Sequence, residues 1–136
     1  MTHDALVRLL IKGEPVPKDH SVESLYLRNV PLKSLTVPDG VKKLYLWNVP
    51  LKTLNVPDGV KNLVLWDVPI KTITGATLLL KDPRGYVAML YNGKVYAGCR
   101  QGVSIKYAKT HWGKNYQGKR EIGDMYLAAL AKLEGK

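Results

Sequence analysis

The stretch Val41-KKLYLWNVPLKTLNVPD-Gly59 decides the fold, because the chain carries three successive versions of it. The version before it, residues 22–40, is identical to it at 14 of 19 positions, and the version after it, residues 60–78, keeps the apolar positions but loses the final Val-Pro-Asp-Gly. Self-similarity at a fixed short period is typical of stacked supersecondary units. We therefore predict three structural repeats of 19 residues, and the lost ending indicates where the chain leaves the stack.

The alternation of apolar and polar residues predicts which side chains face the interior. Leu44 and Leu46 flank Tyr45, so each repeat is expected to form a short strand that points two leucines inward and the residue between them outward. One repeat cannot bury these leucines alone, because its open faces need neighbours. The Val-Pro-Asp-Gly stretches at 37–40 and 56–59 predict turns, since Pro fixes one φ angle and Asp-Gly tolerates positive φ.

The repeat resembles the short bacterial type of leucine-rich repeat, written L-x-x-L-x-L/V-x-x-N-x-L-x-x-L-P-x-L-P-x-G, which is found in secreted effectors of pathogens and in some phage-encoded proteins. The resemblance covers residues 22–78. Each unit here is one residue shorter than that pattern, and valine takes the inward asparagine position, with Asn29, Asn48 and Asp67 one place earlier. The resemblance implies a curved, horseshoe-like stack of parallel strands, and a triangular parallel β-solenoid is the alternative.

The segments on either side of the repeats are predicted to cover the open ends of the stack. At the N-terminus, Thr2 is placed to cap a helix over residues 2–12, which Gly13 would end. Strands are expected at 77–81 and within 85–99.

The C-terminal part is predicted to be a β-hairpin followed by two helices. Asn92-Gly93 is typical of a two-residue type I′ turn. Ser104 favours the start of a short helix that runs to about Trp112. A last helix ending at Gly135 would bury one face, formed by Ile122, Met125, Tyr126, Ala129, Leu130 and Leu133.

Together these patterns predict one domain of the α+β class over residues 1–136. Its centre would be a short leucine-rich-repeat-like parallel β-solenoid of three 19-residue repeats at 22–78. A helical cap at 1–21 and a ββαα cap at 79–136 would close the two ends.

Composition limits the classes of protein to be considered. No apolar run approaches the roughly 20 residues needed to cross a bilayer, and the N-terminus lacks the features of a secretory signal. With a single cysteine, Cys99, an internal disulfide is impossible. We therefore expect a cytoplasmic protein that neither binds a membrane nor holds a metal or cofactor, and the sequence leaves its oligomeric state open.

The outward columns of the repeats contain the residue types that favour protein binding. Tyrosine, tryptophan and arginine are enriched at binding hot spots. The candidate protein-binding residues are Tyr26, Arg28, Lys42, Tyr45, Trp47, Lys61 and Trp66. The alternative is structural, because stacked columns also stabilise a repeat array and the terminal segments can cover the tryptophans.

Positive charge is concentrated behind the repeats. The net charge is +10, and no acidic residue occurs between Asp82 and Glu121. Cations and aromatic rings interleaved in this way favour an anionic partner such as nucleic acid or a nucleotide, although a solvated face or contact with an acidic protein would give the same pattern. The candidate residues are Arg100, Lys106, Lys109, Trp112, Lys114, Tyr116, Lys119 and Arg120.

An enzymatic role has little support in the sequence. Cys99 and His111 are a conceivable nucleophile and base, but a buried cysteine and a packed histidine are the commoner fates of such residues. The three histidines lack the spacing of metal ligands, and no glycine-rich phosphate loop is present. We expect no catalytic residues.

Parts of the C-terminal region resemble a module of small uncharacterised phage and prophage proteins. These parts are residues 97–100, 110–113, 116–118 and 120–123. The resemblance implies a phage origin and hence the cytoplasm of a host cell. The leading hypothesis is a non-enzymatic interaction protein that binds and inhibits a host protein or complex, with host defence as the target class. The alternative is a nucleic-acid or nucleotide binding protein that uses segment 100–120.

Overall fold

The computed structural model describes residues 1–98, 100–114 and 116–134, the last of these without its side chain. Cys99 and Gly135, for which predictions were made, lie outside the described residues. The elements in chain order are α1 (His3–Lys12), β1 (Ser24–Arg28), β2 (Ser34–Thr36), β3 (Lys43–Trp47), β4 (Thr53–Asn55), β5 (Asn62–Trp66), β6 (Thr72–Thr74), β7 (Thr77–Lys81), β8 (Val87–Tyr91), β9 (Lys94–Ala97), β10 (Arg100–Val103), α2 (Ile105–His111) and α3 (Arg120–Glu134).

Each repeat contributes one strand to each of two parallel sheets. In the first parallel sheet, β1, β3 and β5 place Leu25, Leu44 and Leu63 opposite one another. In the second, β2, β4 and β6 pair in the same way, with Leu35 opposite Leu54. All of these partners are one 19-residue period apart, and these leucines are buried, so the period and the inward positions are confirmed.

The chain after the repeats forms a four-stranded antiparallel sheet in the order β10-β9-β8-β7. The β8–β9 turn has positive φ at both Asn92 and Gly93, which confirms the type I′ prediction. Helix α3 packs on β7 and helix α2 on β9. A second hydrophobic core lies between them and contains Ala88, Val95, Ala97, Ala108, Trp112, Ile122, Tyr126 and Leu130.

The predicted fold class is therefore wrong. The described chain is a mixed α/β fold of three helices, two parallel sheets and one antiparallel sheet, not an α+β leucine-rich-repeat-like solenoid of horseshoe or triangular form. The prediction assumed one strand in each repeat, whereas each repeat forms two strands that pair only with their equivalents. It also assumed a hairpin cap, whereas β7 and β10 extend that hairpin into a four-stranded sheet with a core of its own.

Helix α1 begins and ends as the sequence predicts. The Thr2 hydroxyl accepts a hydrogen bond from the backbone N–H of Ala5, and Gly13 ends the helix with a φ of 72°. The buried side chain of Leu6 joins the core of the repeats. The helix therefore covers the first repeat.

Within the described ranges, no helix has the length and apolar character needed to span a membrane.

Both edges of the first parallel sheet make hydrogen bonds within the chain. At β1, the N–H of Tyr26 donates to Nε2 of His3 at 2.9 Å. At β5, the N–H of Leu63 donates to Oε1 of Gln101 at 2.6 Å. Because unpaired edge strands invite association with another chain, these contacts protect the sheet.

Asparagine and aspartate at the end of each first strand make a corner of the backbone. Asn29, Asn48 and Asp67 have φ values of 55°, 53° and 54°, a left-handed conformation that these two residue types tolerate better than most. The Asn48 amide nitrogen donates to the Asn29 side-chain oxygen at 2.7 Å on the exposed surface. This conformational need explains why asparagine or aspartate stands at this position in all three repeats.

Gly75 directs the chain out of the third repeat. It occupies the position held by Val37 and Val56 in the earlier repeats, and its φ is +90°. A Cβ atom at this position would lie 2.0 Å from the carbonyl oxygen of Val56. The Val-Pro-Asp-Gly ending is therefore absent from the third repeat because β7 must begin where the next turn would have been.

Replacing Gly75 by Ala should lower the free energy of unfolding by about 2 kcal/mol more than replacing Gly59 by Ala, because only the first change forces two atoms to overlap. Gly59 also has a positive φ, +94°, but nothing lies within 4 Å of an added Cβ there. The Gly59 variant thus measures the backbone strain alone. Urea unfolding followed by tryptophan fluorescence gives both values, and equal losses would contradict the close approach at Gly75.

Candidate functional site

A strip of aromatic side chains runs across the outward face of the first parallel sheet. We call Tyr26, Arg28, Tyr45, Trp47 and Trp66 the aromatic strip. The rings of Tyr26 and Tyr45 are stacked, with centroids 4.8 Å apart and an interplanar angle of 6°. Their contact follows from the strand register, which places the two residues opposite each other.

The two tryptophans form the second column of the strip. Their ring centroids are 4.4 Å apart, and the Arg28 guanidinium lies 5.6 Å from the Trp47 centroid. Trp66 is half-buried, and its Nε1–H donates to the carbonyl oxygen of Arg84 at 2.9 Å. Trp47 remains 45% exposed. The alternative prediction was that neighbouring segments cover the tryptophans. It therefore fits Trp66, which the following segment covers, but not Trp47.

Two lysines predicted to join this surface stand one residue before β3 and β5. Lys42 and Lys61 are exposed, and Nζ of Lys42 lies 3.4 Å from a carboxylate oxygen of Glu23. An exposed ion pair of this kind contributes about 0–1 kcal/mol. Both lysines thus remain accessible to a partner.

The packing of the rings determines what the aromatic strip can bind. Tyr26 and Tyr45 already use one ring face each on the other, and Trp47 lies between Arg28 and Trp66. Nucleobases bind such platforms by stacking on open ring faces. Because Trp47 has a neighbour on each side, its ring faces are less open to a stacked base than its edge is.

The basic segment 100–120 is divided between surface and interior. Lys106, Lys114 and Lys119 are exposed, whereas Arg100, Lys109 and Tyr116 are half-buried. The segment therefore does not form one continuous cationic surface.

Trp112 is buried in the C-terminal unit, whereas Arg120 is exposed and binds α2 from the surface. Trp112 is 2% exposed, and its ring stacks on Tyr126 with centroids 4.0 Å apart. The Arg120 guanidinium donates to the carbonyl oxygens of Trp112 and Gly113, at the end of α2, and to the carboxylate of Asp124. These contacts join α2 to α3.

A buried carboxylate, which the sequence reasoning missed, holds the C-terminal unit together. Asp82 accepts hydrogen bonds from the backbone N–H of Arg84 at 2.7 Å, from Nη2 of Arg84 at 2.8 Å and from the Tyr126 hydroxyl at 2.8 Å. Burial raises the pKa of Asp82, but these hydrogen bonds lower it by more, so the pKa lies below its ordinary value. The Asp-Pro-Arg-Gly stretch at 82–85 indicates a turn, but nothing in the sequence identifies Tyr126 as the partner.

A cleft of about 290 Å³ opens beside this carboxylate. Its walls include Arg84 and Arg100, and Nε of Arg100 donates to Nε2 of His111 at 3.4 Å. Burial lowers the pKa of His111, and the positive charges of Arg100 and Arg84 lower it further. The segment predicted to bind anions thus contributes Arg100, Trp112 and Tyr116 to the cleft, while Arg84 and His111 were not assigned to such a site.

The structure gives no distance between Cys99 and His111, the conceivable nucleophile and base, because Cys99 lies outside the described residues. Over the ranges that the structure describes, no group of three His, Cys, Asp or Glu side chains could hold a metal ion.

Comparison with protein families, curated proteins and solved structures gives no match to this chain. The candidate sites are therefore argued from their own geometry.

Replacing Asp82 by Asn should lower the free energy of unfolding by about 2 kcal/mol near neutral pH, because charge-assisted hydrogen bonds are lost. Since the folded-state pKa of Asp82 is depressed, its contribution is full above about pH 4 and disappears as the pH falls through the folded value. Urea unfolding of both proteins from neutral to acidic pH measures the difference.

The matched control is Asp124→Asn, which breaks the exposed pair with Arg120 and should cost less than about 1 kcal/mol. The difference between the unchanged protein and the Asp82 variant should shrink as the solution becomes acidic. A difference that stays constant down to about pH 2 would contradict the ionised, hydrogen-bonded state of Asp82.

Proposed function

We propose that this protein is a non-enzymatic interaction protein that binds a partner protein through the aromatic strip. The observation that carries the proposal is the exposure of Tyr26 and Trp47, 53% and 45%, on neighbouring strands of one sheet. Exposed aromatic side chains of this size are uncommon away from binding surfaces and are typical of interface hot spots. Strand pairing also holds them in place before binding, which reduces the entropy lost on association.

Charge favours a partner with an acidic surface. Arg28 belongs to the strip, the exposed lysines Lys42 and Lys61 precede two of the strands that carry it, and the chain as a whole has a net charge of +10. Complementary charge accelerates encounter and fixes orientation more than it increases affinity. The expected partner therefore presents apolar side chains surrounded by carboxylates.

The class of target follows from the two sequence resemblances. The similarity of the C-terminal region to phage and prophage proteins supports a phage origin, and the repeat pattern occurs in pathogen effectors as well as in some phage-encoded proteins. For a small phage protein without an assigned reaction, binding and inhibiting a host protein, such as a component of host defence, is the role proposed here.

The double variant Tyr26→Ser/Trp47→Ser should reduce partner capture at least about tenfold, because hot-spot side chains often contribute 2 kcal/mol or more each. The immobilised variant and the unchanged protein are incubated with bacterial lysate, and captured proteins are quantified by mass spectrometry. Trp66 is kept, because its hydrogen bond to Arg84 makes it part of the fold.

Tyr107→Ser is the matched control, since Tyr107 is 46% exposed but lies on α2, away from the strip. It should leave capture unchanged. Thermal unfolding verifies that all variants remain folded. Equal capture of the same proteins by the double variant and the control would exclude the strip as the binding surface.

Nucleic-acid binding is the second candidate function, because three exposed lysines lie within the acid-free segment. These are Lys106, Lys114 and Lys119. Lysines at such positions contact phosphates without reading the base sequence. The buried position of Trp112 removes one of the rings that base stacking would have used.

Replacing these three lysines by Gln should weaken binding of mixed single- and double-stranded DNA and make it less dependent on salt between about 50 and 200 mM, because fewer counterions are released. Fluorescence anisotropy measures both effects. The matched control replaces Lys33, Lys52 and Lys71, which are also exposed and give the same net charge. Absence of binding at low salt, or equal effects of the two triple variants, would contradict this candidate.

A further inference from the structure

The cleft beside Asp82 is formed by parts of the chain that are distant in sequence. We call it the arginine cleft. Arg84 and Tyr86 come from the segment between β7 and β8, Arg100 from β10, His111 from α2, and Tyr116 from the loop that follows. Ala97, Gly98 and Trp112 are the other described residues that line it.

Three nitrogen-bearing side chains converge in this cleft. Arg100 is within hydrogen-bonding distance of His111, and Arg84 is near enough to lower the pKa of the same imidazole. Tyr116 lines the same cleft. Like charges are rarely placed together in a concave site without a counterion, since their repulsion costs free energy.

The one carboxylate in contact with this group does not balance its charge. Asp82 already accepts three hydrogen bonds, from the backbone and guanidinium of Arg84 and from Tyr126. No described carboxylate forms an ion pair with Arg100. With His111 neutral, two guanidiniums face one carboxylate, so the cleft carries a surplus of one positive charge.

The geometry points to a phosphate monoester as the ligand of the arginine cleft, bound by Arg84 and Arg100 next to His111. Guanidinium groups present paired N–H donors that match phosphate oxygens. The volume of about 290 Å³ lies just below the range of pockets that enclose a whole drug-sized ligand. The cleft thus suits the anionic end of a molecule whose remainder lies outside.

The aromatic rings that line the cleft do not form a stacking site for a nucleobase. The Tyr86 ring has the Arg84 guanidinium 5.6 Å from its centroid and backbone of Gly98 against it, and Trp112 is stacked on Tyr126. Recognition therefore depends on the phosphate rather than on a base. This site is separate from the aromatic strip, so the proposal does not depend on the protein-binding function.

Titration of the full-length protein with inorganic phosphate or adenosine monophosphate should shift the ring resonances of His111 saturably in NMR spectra, with a dissociation constant of about 1 mM or tighter. Arg100→Gln should weaken this binding at least about tenfold, because it removes a charge-assisted contact. Lys94→Gln removes the same charge from the exposed β8–β9 hairpin and should change the affinity less than about twofold. Arg100 is chosen because Arg84 also supports Asp82.

Oligonucleotides with a 5′-phosphate or a 5′-hydroxyl identify the source of the phosphate. Preference for the 5′-phosphate over adenosine monophosphate supports a terminal phosphate of nucleic acid, and the reverse supports a small phosphorylated molecule. Either result supports the site. The proposal is overturned if phosphate gives no saturable shift, if acetate or adenosine gives the same shift, or if the Arg100 and Lys94 variants bind phosphate equally.

Discussion

In-register stacking of the 19-residue repeats is the constraint on which the rest of the structure depends. It places Leu25, Leu44 and Leu63 opposite one another in a buried column. The same register brings Tyr26 onto Tyr45 on the opposite face, because neighbouring residues of a strand point to opposite sides. A slip of one residue would exchange the two faces. The buried core and the aromatic strip are therefore two consequences of one register.

The stack ends at the third repeat because the chain that follows turns away and then contacts the edge of the last strand. Gly75 turns the chain away, and the antiparallel sheet returns to the edge of β5 through Gln101. Tyr91 reinforces this junction, since its hydroxyl accepts from the N–H of Val60 and donates to the carbonyl oxygen of Pro57. Asp82 then fastens the turn after β7 to α3 through Tyr126. A repeat array and a separate α/β unit are thus joined by hydrogen bonds between side chains and backbone.

Two surfaces of different chemistry meet at Arg84. Its carbonyl oxygen accepts the hydrogen bond of Trp66, at the end of the aromatic strip, while its guanidinium lines the arginine cleft. The strip offers exposed aromatic rings with the Arg28 guanidinium over one of them. The cleft offers guanidinium donors with surplus positive charge, which suits a phosphate. Changes at Arg84 would therefore affect both surfaces.

Features that depend on residues close together in the chain were predictable from the sequence. These are the repeat period, the inward leucines, the caps of α1 and the Asn92-Gly93 turn, because each follows from local conformation or from a fixed spacing. The second strand of each repeat, the fourth strand β10 and the exposure of Met125 on a face predicted to be buried arise from long-range packing. It also decided that Trp112 is buried and that Asp82 meets Tyr126, 44 residues away. Such contacts depend on which elements pack together, and no local pattern of residues encodes that choice.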